Sequence, residues 1–268
     1  MYRNNLKISF VFSIMIFVVT AHAQNLPNIQ KTSVWAPPNI KIDGKVTEWQ
    51  DKYQAYNHAT DVYYTICNDN DNLYLVIKAT NRIAIAGKIL AAGISFTINH
   101  TLKKKDTASV TVTYPTLQGK DRELVSGLFY GILGMHIGGT PGGDNSLTRL
   151  NSTLTEKSKY IGITGIKDFP DNEISVYNNE GIKAASAFNA PSVYVYELAI
   201  PLKFLALPDD GAQGFSYHIK MNIPKEMQRT DAVGSRVPNS DAPPPPPPDP
   251  NFVTSTDFWG EYTLAKKP

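Results

Sequence analysis

The chain has 268 residues, 42% of them hydrophobic, with 26 basic, 24 acidic and one cysteine residue. That length suits one large domain or two small ones. Removing Arg3 and Lys7 with an N-terminal export segment leaves 24 basic residues against 24 acidic ones. A balanced chain has no basic field to gather phosphates, which argues against nucleic acid as a partner.

Met1 to Ala23 reads as a secretory signal. Arg3 and Lys7 give the positive start, Ile8 to Val19 is apolar apart from Ser9 and Ser13, and Ala21-His22-Ala23 supplies small residues for cleavage. The apolar run is shorter than the roughly 20 residues a membrane span needs. Gln24, not Cys, directly follows the cleavage point, which argues against a lipid anchor, and no second apolar run of spanning length exists, so the expectation is an exported protein, periplasmic or extracellular, without a stable membrane span. Cys67 has no partner for an internal disulfide and lies in a strand-like run, which suits a small buried hydrophobe.

Gln24 to Asn39 is an arm leading into the domain. Pro37-Pro38 favours extended backbone, since proline fixes φ and biases its predecessor. Trp35 either plugs the body or faces solvent as a ligand platform. Residues 40–268 are expected to form one domain. Ile40 and Ile42 share a face at strand spacing, Asp43-Gly44 signals a tight turn, and Trp49 enters the core or its rim as an anchor.

Asp61 to Cys67 and Leu73 to Lys78 alternate around Asn68-Asp69-Asn70-Asp71-Asn72, which predicts a β-hairpin. The Asn/Asp cluster offers oxygens to calcium but lacks the glycine and closing glutamate of the twelve-residue calcium loop. Turn chemistry is the simpler reading, and no cofactor or metal is expected. Arg82 to Ala92 suits a short helix weakened by Gly87. Ile94 to Asn99 and Ser109 to Tyr114 alternate again. Glu123 to Asp144 reads as an irregular helix interrupted by Gly127, Gly131 and Gly134, with the loop Gly138 to Asp144 after it. That loop lacks the Lys-Ser/Thr ending of a phosphate-binding loop.

Short strands are expected at Tyr160 to Ile166, Glu173 to Tyr177 and Ile182 to Phe188. Ser192 to Pro201 is the clearest strand, with Glu197 the odd member of an otherwise apolar face. A single helical turn comes next at Leu202 to Leu207, and another strand at Phe215 to Met221. Residues 224–256 lack a pattern and contain Pro243 to Pro248, which should be stiff polyproline II. Asp257 to Leu264 reads as a final strand returning to the sheet. Strands separated by short turns indicate an all-β protein: an antiparallel β-sandwich, jelly-roll or immunoglobulin-like in outline, with short helical inserts.

The chain has no GxSxG elbow and no HExxH helix, and its five histidines are scattered without metal-ligand spacing. The expectation is not an enzyme but a binding module.

Four ordered stretches carry a resemblance. Ile42-Asp43-Gly44 with Glu48-Trp49, Asn72-Leu73-Tyr74-Leu75, Tyr196-Glu197-Leu198-Ala199-Ile200-Pro201 and Trp259-Gly260-Glu261-Tyr262-Thr263-Leu264 resemble landmarks of family 9 carbohydrate-binding modules and their DOMON-like relatives. The resemblance implies a single sandwich that holds saccharide between aromatic side chains, often with structural calcium. One DOMON-like branch binds haem; Met135-His136 and Met221 would be the corresponding ligands. Trp49, Glu197 and Trp259 fall in stretches that read as architectural. Trp35, Tyr53, Tyr63 and Tyr130 remain as candidate saccharide platforms. The alternative is an envelope protein-interaction domain that uses Gly138 to Asp144 and Pro243 to Pro248, and a part in glycan hydrolysis machinery is a further one.

Overall fold

The computed structural model describes residues 26–80, 83–104, 108–134, 145–167, 169, 171–191, 193–207, 214–224 and 254–268. The N-terminal stretch read as an export signal and the glycine-rich and proline-rich stretches fall outside these residues. Met135-His136, half of the haem reading, does so too, while Met221 is fully buried in the core.

The strands are β1 (Ala55–Asn57), β2 (Val62–Asn68), β3 (Asn72–Thr80), β4 (Ile94–Ile98), β5 (Val110–Tyr114) and β6 (Tyr160–Thr164). They continue with β7 (Glu173–Ser175), β8 (Lys183–Ala190), β9 (Val193–Pro201), β10 (Phe215–Met221) and β11 (Thr256–Tyr262). The helices are α1 (Ile83–Ala92), α2 (Gly119–Ile132) and α3 (Ser146–Lys157). Two antiparallel sheets form, ordered β1-β2-β3-β9-β8 and β11-β10-β4-β5-β6-β7. The all-β expectation with short helical inserts therefore holds.

Strand period explains the layering. Val62, Tyr64 and Ile66 of β2, Leu73, Leu75 and Ile77 of β3, and Tyr194, Tyr196, Leu198 and Ile200 of β9 all enter the main core. Phe96, Val112, Phe215, Tyr217, Ile219 and Phe258 meet them from the six-stranded sheet. A hydrogen-bonded chain crosses between the layers: Gln30 N–H donates to the Tyr64 hydroxyl at 2.8 Å, which lies 2.9 Å from the Tyr217 hydroxyl. Each such buried bond contributes about 1 kcal/mol net, and losing one partner costs more.

Two expectations need correction. Ile40 to Ile42 is not a strand; the stretch runs irregularly over the outer face of the five-stranded sheet. There Ile40, Ile42, Val46, Trp49 and Tyr53 pack on Tyr63, Cys67, Tyr74, Val76 and Ala199, making a second small core. Alternation favoured a strand, but the segment buries its apolar side against a sheet face instead of pairing with a strand edge.

The region after β5 holds two helices where one irregular helix was expected. α2 runs through Gly127 and Gly131 without a break, burying Val125 and Phe129. α3 buries Leu150 and Leu154, and the Asn151 amide brackets β8 by bonding both N and O of Phe188 at 2.8 Å. Covering β8 in this way protects an edge strand from pairing with another chain.

Candidate functional site

The outer face of the five-stranded sheet carries Glu197, and its surroundings explain why the opening motif and β9 belong together. Glu197 is fully buried. One carboxylate oxygen accepts from the Trp49 indole N–H at 2.8 Å. The other accepts from the backbone N–H of Gly44 at 2.9 Å and of Asp43 at 3.2 Å. Gly44 adopts φ +79°, and a Cβ there would sit 3.2 Å from both the Ala187 Cβ and the Ser186 carbonyl carbon. Only glycine lets the turn descend far enough to reach the carboxylate. Burial raises the Glu197 pKa to about 7, against the three donated hydrogen bonds, which lower it. The turn and the indole cover the carboxylate, so it fastens the segment and does not face a ligand. Trp49 is buried at 5% exposure and serves the same clasp.

Beyond the clasp, the segment turns down beside β2. Gln50 and Asp51 both take positive φ, at 50° and 55°. This delivers Tyr53 next to Tyr63, with ring centroids 5.9 Å apart and planes at 49°. Tyr56 continues the series, 4.6 Å from Tyr63. The Lys78 ammonium lies 5.8 Å from the Tyr53 ring centre and pairs with Asp51 at 2.5 Å. Tyr53 and Tyr63 line a cleft of about 1030 Å³ with Gln54, Lys78, Thr80 and Asp51 around them. That volume is at the upper end of the roughly 300–1,000 Å³ usual for small-molecule sites. The Tyr53 hydroxyl is buried and finds no partner among the described residues. Burial, then the charge of Asp51, raises its pKa. The hydroxyl therefore stays protonated; the residue as a whole is buried at 7% exposure, so it backs the half-buried Tyr63 ring, which supplies the open aromatic face of the cleft.

Two of the four candidate platforms thus share one cleft. Trp35 does not line it; it is half-buried and forms an isolated parallel bridge with Asn68. Tyr130 lies on α2, half-buried against Phe129 at 5.2 Å. The Asp69 carboxylate is used by its own turn, accepting from Asp71 N, Asn72 N and the Tyr74 hydroxyl. Among the described residues no group of three or more His, Cys, Asp or Glu side chains could hold a metal ion. Cys67 is fully buried, and burial raises its pKa, so it is a packing residue with no thiolate character.

Trp259, read as part of an architectural stretch, makes a structural contact and also borders a groove. Trp259 points from β11 onto the outer face of the six-stranded sheet, half-buried. The His218 ring, directly across the ladder, stacks on it with centroids 4.3 Å apart and planes within 7°. His218 is held in turn by Asp257 at 2.7 Å. Trp259 also lines a groove of about 470 Å³ with Lys31, Lys104 and Glu261. The signal was available in the alternation of Asp257, Trp259 and Glu261 against the buried Phe258 and Tyr262.

The main core holds one polar anomaly. The Tyr196 hydroxyl is buried and completes no hydrogen bond with described residues, and the buried hydroxyls of Tyr194, Ser158 and Ser186 cluster near it. Tyr114 lies among them, its pKa raised to about 12 by burial and eased by nearby Ser158 and Ser186.

No protein-family model matches the chain, and neither a curated protein nor a solved structure matches it.

Proposed function

We propose that the protein is an exported, non-catalytic carbohydrate-binding module whose saccharide site is the Tyr53/Tyr63 cleft. The observation that carries this reading is the composition of that cleft. It sets the half-buried Tyr63 ring, backed by the buried Tyr53 ring, beside a Lys78–Asp51 pair and the side chains of Gln54 and Thr80. Sugar rings have apolar C–H faces that pack on aromatics and hydroxyl edges that need donors and acceptors. The cleft supplies both, and Lys78 and Asp51 hold each other in place while leaving hydrogen-bonding capacity for a ligand. The resemblance to family 9 carbohydrate-binding modules points in the same direction.

A panel of soluble oligosaccharides and insoluble polysaccharides, with calorimetry on hits, tests the proposal. Tyr63→Ala should weaken binding about tenfold or more, the usual consequence of truncating an aromatic anchor. No binding across the panel, or binding that Tyr63→Ala leaves intact, would exclude the cleft as a saccharide site.

A further inference from the structure

The arm runs along one side of the sandwich, between β1 and β2 of one sheet and β11 of the other. Pro27 O accepts from Tyr56 N, the Gln30 amide bonds Ile66, and Ser33 and Val34 bond the region of Tyr262 and Thr263. Three clefts open along this arm and share its walls. Lys31 and Thr32 line both the Tyr53/Tyr63 cleft and a smaller one of about 280 Å³. That smaller cleft shares Gln30, Lys31, Leu102 and Glu261 with the Trp259 groove. Lys31 therefore borders all three, which form one path around the side of the domain with aromatic rings at both ends.

We infer that this path binds an extended glycan chain several sugar units long, with Tyr63, backed by Tyr53, at one end and Trp259 at the other. The inference rests on the saccharide reading of the Tyr53/Tyr63 cleft and goes beyond it in naming the ligand's length and its second anchor. Trp259 is suited to that task. His218 covers one of its faces and Asp257 holds His218, so the indole is fixed before any ligand arrives. Preorganised rings lose little entropy on binding. Between the anchors, Lys31 and Glu261 give mixed charge, and Thr32 and Ser33 give hydroxyls. The ends add Lys52, Lys78 and Lys104 against Asp51, with Lys78 and Asp51 already paired, so sugar hydroxyls meet donors and acceptors along the whole path.

An extended peptide is the competing occupant, and it fits less well. Peptides in such grooves add to an open strand edge through their backbone. Here the arm already uses its backbone groups: Gln30 N on Tyr64, Val34 N on Tyr262, and Val34 O accepting from Asn68 N.

The test is affinity against chain length for the full chain, measured by calorimetry with cello-, xylo-, manno-, malto- and chito-oligosaccharides from monosaccharide to hexasaccharide. For at least one series, affinity should rise about tenfold or more between disaccharide and hexasaccharide. Trp259→Ala should remove that rise, and Glu261→Ala, at an exposed position, should reduce it without disturbing the fold. Affinity that saturates at one or two sugars would overturn the inference while leaving the Tyr53/Tyr63 reading intact. A rise that survives both substitutions would overturn it as well. No binding in any series would overturn both readings. Displacement of bound hexasaccharide by an unstructured proline-rich peptide, with tighter binding of the peptide alone, would assign the path to peptides and reject the glycan.

Discussion

Replacing Glu197 by Gln probes the element on which the outer face depends, and pH supplies the sign. A free glutamate ionises near 4.5; Glu197 in the folded protein ionises near 7, chiefly because it is buried. Between those values the unfolded chain has released the proton and the folded chain keeps it. Raising the pH therefore favours unfolding. The contribution of this group is fully present below about pH 4.5 and is lost as pH rises through about 7. Moving the pKa from 4.5 to about 7 corresponds to about 3 kcal/mol, at about 1.4 kcal/mol per tenfold change. Gln cannot titrate, so Glu197→Gln should flatten the stability profile by about that amount. It also turns one acceptor into a donor facing either the Trp49 indole or the Gly44 and Asp43 amides. The variant should accordingly be less stable than the parent at pH 5, with the gap narrowing toward pH 8. Urea unfolding of both proteins at half-unit intervals from pH 4.5 to 8 measures the two profiles. Parallel profiles, or a Glu197 carboxyl that titrates near 4.5 by carbon NMR, would refute the account.

Three further substitutions test contacts already described. Gly44→Ala forces a side chain into a positive-φ turn and against Ala187, and should cost about 2 kcal/mol in denaturant unfolding. Gly260→Ala drives a methyl into the buried Tyr217 ring and hydroxyl, so about 3 kcal/mol should be lost, read as a drop in melting temperature. Tyr196→Phe removes a buried hydroxyl that completes no hydrogen bond with described residues and should be neutral or stabilise by about 1 kcal/mol; a loss of that size would reveal a bound water as its partner.

Much of the fold was legible because strands announce themselves by alternation. Val62 to Cys67, Leu73 to Lys78 and Val193 to Pro201 each put large apolar residues at every second position, and a buried sheet face requires that. The same signal misled at Ile40 to Ile42, since a segment lying across a sheet also alternates its apolar contacts. The helix Ser146–Lys157 escaped because only Leu147, Leu150 and Leu154 mark its inner face among polar residues. At Glu197 the oddity was visible, but its partners were not: the indole and the two amides come from about 150 positions earlier in the chain. The candidate cleft was half legible. Tyr53 and Tyr63 could be named as aromatics, yet their pairing depends on backbone bends at Gln50 and Asp51 that no periodicity encodes.

The meeting point around Asn68 has a temporal meaning. Its side-chain oxygen accepts from Ala265 N, its backbone N–H reaches Val34, and the single proton of the Tyr262 hydroxyl is shared between that side-chain oxygen and the Val34 carbonyl, each 3.1 Å away. One asparagine in the first hairpin thus joins the arm to the last strand, across 194 positions. The arm lacks this half of its dock until β11 exists, so the seam is among the last parts of the domain to assemble as the chain is made. The clefts along the arm are completed by the same seam. Until the final strand has been added, the protein can hold a largely built core and still have no finished groove.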